Sequence, residues 1–74
     1  MSNEFLKKIN TIIKEERGSQ VVLEDTLIKA ELDSFSWIMF WLELDKLYPK
    51  AFSEEFVSSL DYKKVKFCDL EKMI

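Results

Sequence analysis

Between Phe35 and Tyr48 the chain is apolar almost without interruption, with only Ser36, Glu43, Asp45 and Lys46 breaking the run. At ~100° per residue, a helix through this stretch has two apolar faces. One carries Trp37, Phe40, Trp41, Leu44, Leu47 and Tyr48; the other carries Phe35, Ile38, Met39 and Leu42. A helix apolar nearly all round is either central to its fold or has a partner on its second face. A chain of 74 residues is too small to enclose such a helix completely. The second face is therefore expected to touch something other than the chain's own core.

The helix has clear ends. Asp33 or Ser34 is a good N-cap and Pro49 stops it, which places it at about 34–48. A first helix is marked by Phe5, Leu6, Ile9, Ile12 and Ile13, one stripe at helical spacing. Ser2 or Asn3 caps it and Gly18 is the expected left-handed stop, giving about 3–17. Residues 18–33 hold Val21, Val22, Leu23, Leu27, Ile28 and Leu32 without a helical period, and a strand at Val21–Leu23 has no evident second strand. They read as a long loop pinned to the core by its apolar side chains. Ser53 caps a short helix at about 53–60. Phe67, Leu70, Met73 and Ile74 form a last stripe at about 66–74, whose start is poorly marked because Lys63, Lys64 and Lys66 precede it.

The expectation is a single domain over residues 1–74, all-α: a small four-helix bundle of three longer helices and one short one. One Gly, one Pro and 47% apolar residues exclude a disordered chain, a collagen-like repeat and a β-rich fold with many tight turns.

Charge and residue types narrow the function classes. Eleven Lys and Arg against fourteen Asp and Glu leave a net charge of −3 with no basic stripe, so nucleic acid is not an expected partner. The chain has no His, which removes imidazole catalysis and His metal ligation. The lone Cys68 cannot form an internal disulfide or a Cys-rich metal site; it reads as a small core residue in a reducing, cytoplasmic setting. The opening Met1-Ser2-Asn3-Glu4 does not read as a signal peptide. The longest apolar run, Trp37 to Leu42, is far short of the ~20 residues that span a bilayer. The serines have no His to activate them, and one Gly cannot build a phosphate-cradling loop. The adjacent acids Glu15–Glu16, Glu24–Asp25 and Glu54–Glu55 do not face each other on a helix and read as solvated charge. A non-catalytic protein without a metal is expected.

Ser34 stands out by position: it opens the central helix after the long loop, beside an acid and before a large apolar residue. A phosphodiester on its hydroxyl would sit at a helix N-terminus, where unpaired N–H groups and the helix dipole favour negative charge. The plain alternative is that Ser34 is only a cap.

The stretch Glu31-Leu32-Asp33-Ser34-Phe35 resembles the Asp-Ser-Leu motif of acyl carrier and peptidyl carrier proteins. The likeness extends to the long first loop, including Glu24-Asp25-Thr26-Leu27, the motif at the start of helix 2, the short helix 3 and the last helix. It implies an acyl-carrier-like bundle and a 4′-phosphopantetheine arm on Ser34 that holds an acyl or aminoacyl group as a thioester. Asp33 matches the motif acid, which in the family helps a phosphopantetheinyl transferase bind and orient the serine. Phe35 replaces the usual Leu. Ile38 and Leu42 match positions where the family offers apolar residues to partner enzymes, and Met39 lies on the same face. The implied partners are the transferase, a loading ligase or acyltransferase, and condensing or transfer enzymes of a fatty-acid, polyketide or other specialised pathway. A monomer is expected.

This sequence departs from the family where Ser36 and Met39 replace acids common after the motif and Lys46 adds positive charge. Electrostatic steering is then weaker and apolar docking stronger. The region Phe52 to Phe56 bears a faint likeness to D-alanyl carriers, an alternative cargo class. A cargo chain could lie between helices 2 and 3, among Phe40, Leu44, Phe56 and Leu60, or stay outside. The alternative from another class is a helical interaction module that docks through the second face of helix 2 and never carries an arm.

Overall fold

The computed structural model describes residues 3–74, so the expected cap at Ser2 lies outside it. Four α-helices are present among these residues: α1 (Glu4–Glu15), α2 (Ser34–Leu47), α3 (Glu54–Ser58) and α4 (Phe67–Glu71). A 3-10 helix, Leu27–Ala30, interrupts the loop between α1 and α2. The bundle has two longer helices rather than the three expected. The last stripe stops early: α4 buries Phe67 and Leu70, while Met73 and Ile74 are exposed. Spacing alone marks them as one face, but both lie past Glu71, where α4 ends, and are left in water.

α1 begins at an Asn3 cap, whose side chain accepts the Leu6 N–H at 2.8 Å. Its stripe buries Phe5, Ile9, Ile12 and Ile13 and packs on α2. Its stop differs from the expected one by a residue. Arg17, not Gly18, takes the left-handed conformation (φ 63°). The Arg17 N–H donates to the Lys14 carbonyl and the Gly18 N–H to the Ile13 carbonyl, the paired bonds of a Schellman stop. Gly18 is needed for space instead. A Cβ there would lie 2.6 Å from the Ala30 carbonyl oxygen and 2.5 Å from a Leu32 methyl.

The long loop is stitched on both sides. The Asn10 side chain donates to the Val21 carbonyl and accepts the Val21 N–H, both at 2.9 Å. On the other side, Leu27 and Ile28 N–H groups donate to the Val65 and Tyr62 carbonyls. In return, Phe67 and Cys68 N–H groups donate to the Asp25 and Leu23 carbonyls. The partner missing from the sequence for this segment is thus the stretch leading into α4, joined through an isolated antiparallel bridge, Thr26 with Lys66. The expected buried anchors divide. Val21 and Leu27 are buried, Leu23 and Leu32 half-buried, and Val22 and Ile28 exposed. Asp69 supplies the cap signal that the lysines before α4 lack, accepting the Lys66 N–H at 3.0 Å. Cys68, expected in the core, is only partly buried.

α2 crosses the centre. Trp37, Phe40 and Leu44 are buried in one cluster with the α1 stripe, Leu27, Phe67 and Leu70. Each such side chain stabilises the fold by about 1.5–3 kcal/mol relative to exposure. Trp41 and Tyr48 are half-buried, but Leu47, expected inside, is exposed. α3 buries none of its residues fully, and it is held against Trp41 through its own Phe56 and the preceding Phe52. No helix among the described residues is long and apolar enough to cross a membrane.

Candidate functional site

Ser34 is the first residue of α2 and is exposed. The cap is made by its neighbour. The Asp33 Oδ1 accepts the Ser36 N–H at 2.8 Å, and the Asp33 carbonyl accepts the Trp37 N–H at 2.9 Å. The Ser34 hydroxyl is therefore not committed to starting the helix. The Ser36 backbone N–H, then the Ser36 hydroxyl, hold the Asp33 carboxyl below its ordinary value, against a desolvation that raises it. The Phe35 N–H adds a further lowering contribution.

The turn that delivers Ser34 is braced. Glu31 ends the 3-10 helix in the left-handed region (φ 57°), which costs on the order of 1–2 kcal/mol for a residue with a Cβ. Its N–H donates to the Ile28 carbonyl, and its carboxylate accepts the Ser19 hydroxyl from the start of the loop. The Ser19 N–H in turn donates to the Ala30 carbonyl at 2.8 Å. The two ends of the loop are tied together immediately before Asp33-Ser34.

From Ser34 an apolar ribbon runs along the outer face of α2. Phe35 is 69%, Ile38 58% and Leu42 54% exposed. Met39, expected with them, is half-buried. Leu42 lies about 12 Å from Ser34 along the helix, at 1.5 Å per residue.

Sequence reasoning missed what lies at the far end of the ribbon. Trp41, Leu42 and Asp45 of α2 line a groove of about 670 Å³ together with Phe52 and the start of α3, including Glu54, Glu55 and Val57. On the opposite side of α2, a smaller groove of about 300 Å³ is lined by Lys7, Lys8 and Lys46 together with Glu15 and Glu43. The acids at the start of α3 are visible in the sequence, but the side of α2 on which α3 settles is not. Among the described residues, no group of three or more His, Cys, Asp or Glu side chains is arranged to hold a metal. No family model, no curated protein and no solved structure matches this chain.

Proposed function

We propose that this chain is a small cytoplasmic carrier protein of the acyl or peptidyl carrier type, with Ser34 as the attachment point of a 4′-phosphopantetheine arm. The observation that carries the reading is the exposed Ser34 hydroxyl, relieved of capping by Asp33, at the head of α2. The residues fit the group: an anionic phosphodiester on Ser34 gains from the positive end of a 14-residue helix, a gain that the Asp33 charge offsets in part. When bound, the arm supplies a terminal thiol that holds an acyl or aminoacyl group as a thioester.

The chain's own residues do the rest. Ser34 confines the cargo near the protein, which raises its effective concentration for docked enzymes. Asp33 fixes the first turn of α2 and offers a charge to the transferase. Phe35, Ile38, Met39 and Leu42 form the surface on which the transferase, a loading ligase or acyltransferase, and condensing or transfer enzymes dock. Fatty-acid, polyketide and aminoacyl pathways, D-alanyl transfer among them, all use chemistry of this kind.

Incubation with coenzyme A, Mg²⁺ and a broad-specificity phosphopantetheinyl transferase is expected to add about 340 Da, and Ser34→Ala to abolish the gain. Bare polypeptide after exhaustive treatment with several transferases overturns the reading. The exposed ribbon on α2 favours one second reading, an interaction module that never carries an arm. In a complementation assay that module keeps function in Ser34→Ala and loses it in Ile38→Asp, whereas a carrier loses it in Ser34→Ala.

A further inference from the structure

Resting on the carrier reading, we propose that Trp41 closes the seam between α2 and α3 to an acyl chain, so that the cargo is a short or polar acyl group that stays in water.

A hydrocarbon tail leaves water only if it finds a space lined by apolar atoms, and a close-packed interior opens one only by moving side chains apart. In this molecule the seam is filled by rings. Trp41 lies 5.1 Å from Phe40, 5.7 Å from Phe52, 6.5 Å from Phe56 and 6.1 Å from Trp37, centroid to centroid. Tyr62 closes the other side, 4.7 Å from Trp37, and its hydroxyl accepts the Trp41 indole N–H at 3.0 Å. A tail entering between α2 and α3 has to part these rings and strip the indole N–H of its acceptor. Behind them, Phe40 and Leu44 are fully buried.

The surface groove over Trp41 is no better a refuge. It is open and mixed: Leu42, Phe52 and Val57 line it together with Asp45, Glu54 and Glu55, and a tail laid there crowds carboxylates that gain no partner. Neither the interior nor the groove rewards a long aliphatic chain. A cargo that is short, or that carries its own polar groups, loses nothing by remaining outside.

The test uses the phosphopantetheinyl transferase and Mg²⁺ to load Ser34 with acetyl- or octanoyl-4′-phosphopantetheine from the corresponding acyl-coenzyme A. The Ser34 oxygen displaces 3′,5′-adenosine bisphosphate at phosphorus, and the acyl thioester is untouched. Intact mass reports loading, and cleavage by hydroxylamine reports how far each thioester is shielded. The expected result is that the octanoyl and acetyl forms are cleaved at rates within about twofold and melt together, whereas shielding a single methylene already corresponds to about fourfold. Octanoyl cleavage slowed by fourfold or more, or a higher melting temperature of the octanoyl form, overturns the assignment while leaving Ser34 as the attachment site. Absence of any mass gain overturns both. Trp41→Ala is expected to open the seam and to slow octanoyl but not acetyl cleavage; equal rates in a folded Trp41→Ala protein count against Trp41 as the barrier. If that variant does not fold, the wild-type comparison decides alone.

Discussion

The inner and outer faces of α2 are built from the same kinds of residue and have opposite fates. Trp37, Phe40 and Leu44 are buried, and Phe35, Ile38 and Leu42 are more than half exposed. Neither face is more apolar than the other in any way that decides this. The inner face meets the α1 stripe, the pinned loop and the α4 residues Phe67 and Leu70. Among the described residues the outer face is left largely uncovered, because α3 is short and lies to one side, bordering Leu42 and sitting over Trp41. Apolar side chains carried in water contribute no folding energy, and a contiguous exposed patch is the ordinary mark of an interaction surface. One face of α2 therefore serves stability and the other is available for recognition.

The largest effect that tests this contrast is Phe40→Ala. Removing a fully buried ring from the inner face is expected to cost about 3–5 kcal/mol, a large share of what a domain of this size holds, and to lower the denaturation midpoint sharply. A midpoint close to the wild type in denaturant titration breaks the division between the faces. Gly18→Ala probes the support behind the inner face, where the added methyl meets a backbone carbonyl that cannot rotate away. A loss of about 1–3 kcal/mol is expected in the same titration, and a neutral outcome means that the loop is held more loosely than its hydrogen bonds imply.

Outer-face changes should be small in stability and large in recognition. Ile38→Asp and Leu42→Asp are expected to shift stability by no more than about 0.5 kcal/mol, while lowering, on the proposed carrier reading, the rate at which partner enzymes use the loaded protein. Destabilisation by several kcal/mol instead makes the outer face part of the core.

The smallest effect concerns the cap between the two faces. The Asp33 carboxyl binds its proton less tightly in the folded chain than in the unfolded one, so the unfolded state holds more protons in acid. Its stabilising contribution is complete above the ordinary carboxylate value of 3.8 and is lost as pH falls through the lower folded value. Asp33→Asn keeps a capping side chain without this titration. Thermal melts of the two proteins between about pH 5 and pH 2 should converge as pH falls, and parallel curves remove Asp33 as the source.

Much of this was legible in the residues. The α1 stripe and the extent of α2 follow from helical spacing bounded by Asn3, Asp33 and Pro49. Ser34 was visible as a candidate because position alone, after a long loop and at the head of an apolar helix, marks it. The outward turn of Phe35, Ile38 and Leu42 was also legible, since so short a chain cannot wrap a helix on two sides. Other features were not. Gly18 and Arg17 exchange roles because a close approach by Ala30 and Leu32, remote in sequence, claims the glycine first. The last helix ends before Met73 and Ile74 because periodicity records which residues share a face, not whether anything covers it. Leu47, expected inside, is exposed for the same reason, and Met39 is half-buried between the two faces.

Local chemistry, written in spacing, caps and turn residues, determined which segments are helical, where α2 starts and that Ser34 lies at its head. Only the tertiary structure decided which apolar face is inside, which residues line the groove beside Trp41 and which rings close the seam between α2 and α3. The first set depends on neighbours within a turn or two of helix, which the sequence lists in order. The second depends on packing between segments far apart in the chain, where the direction of approach is set by the summed shape of many side chains and by no single residue.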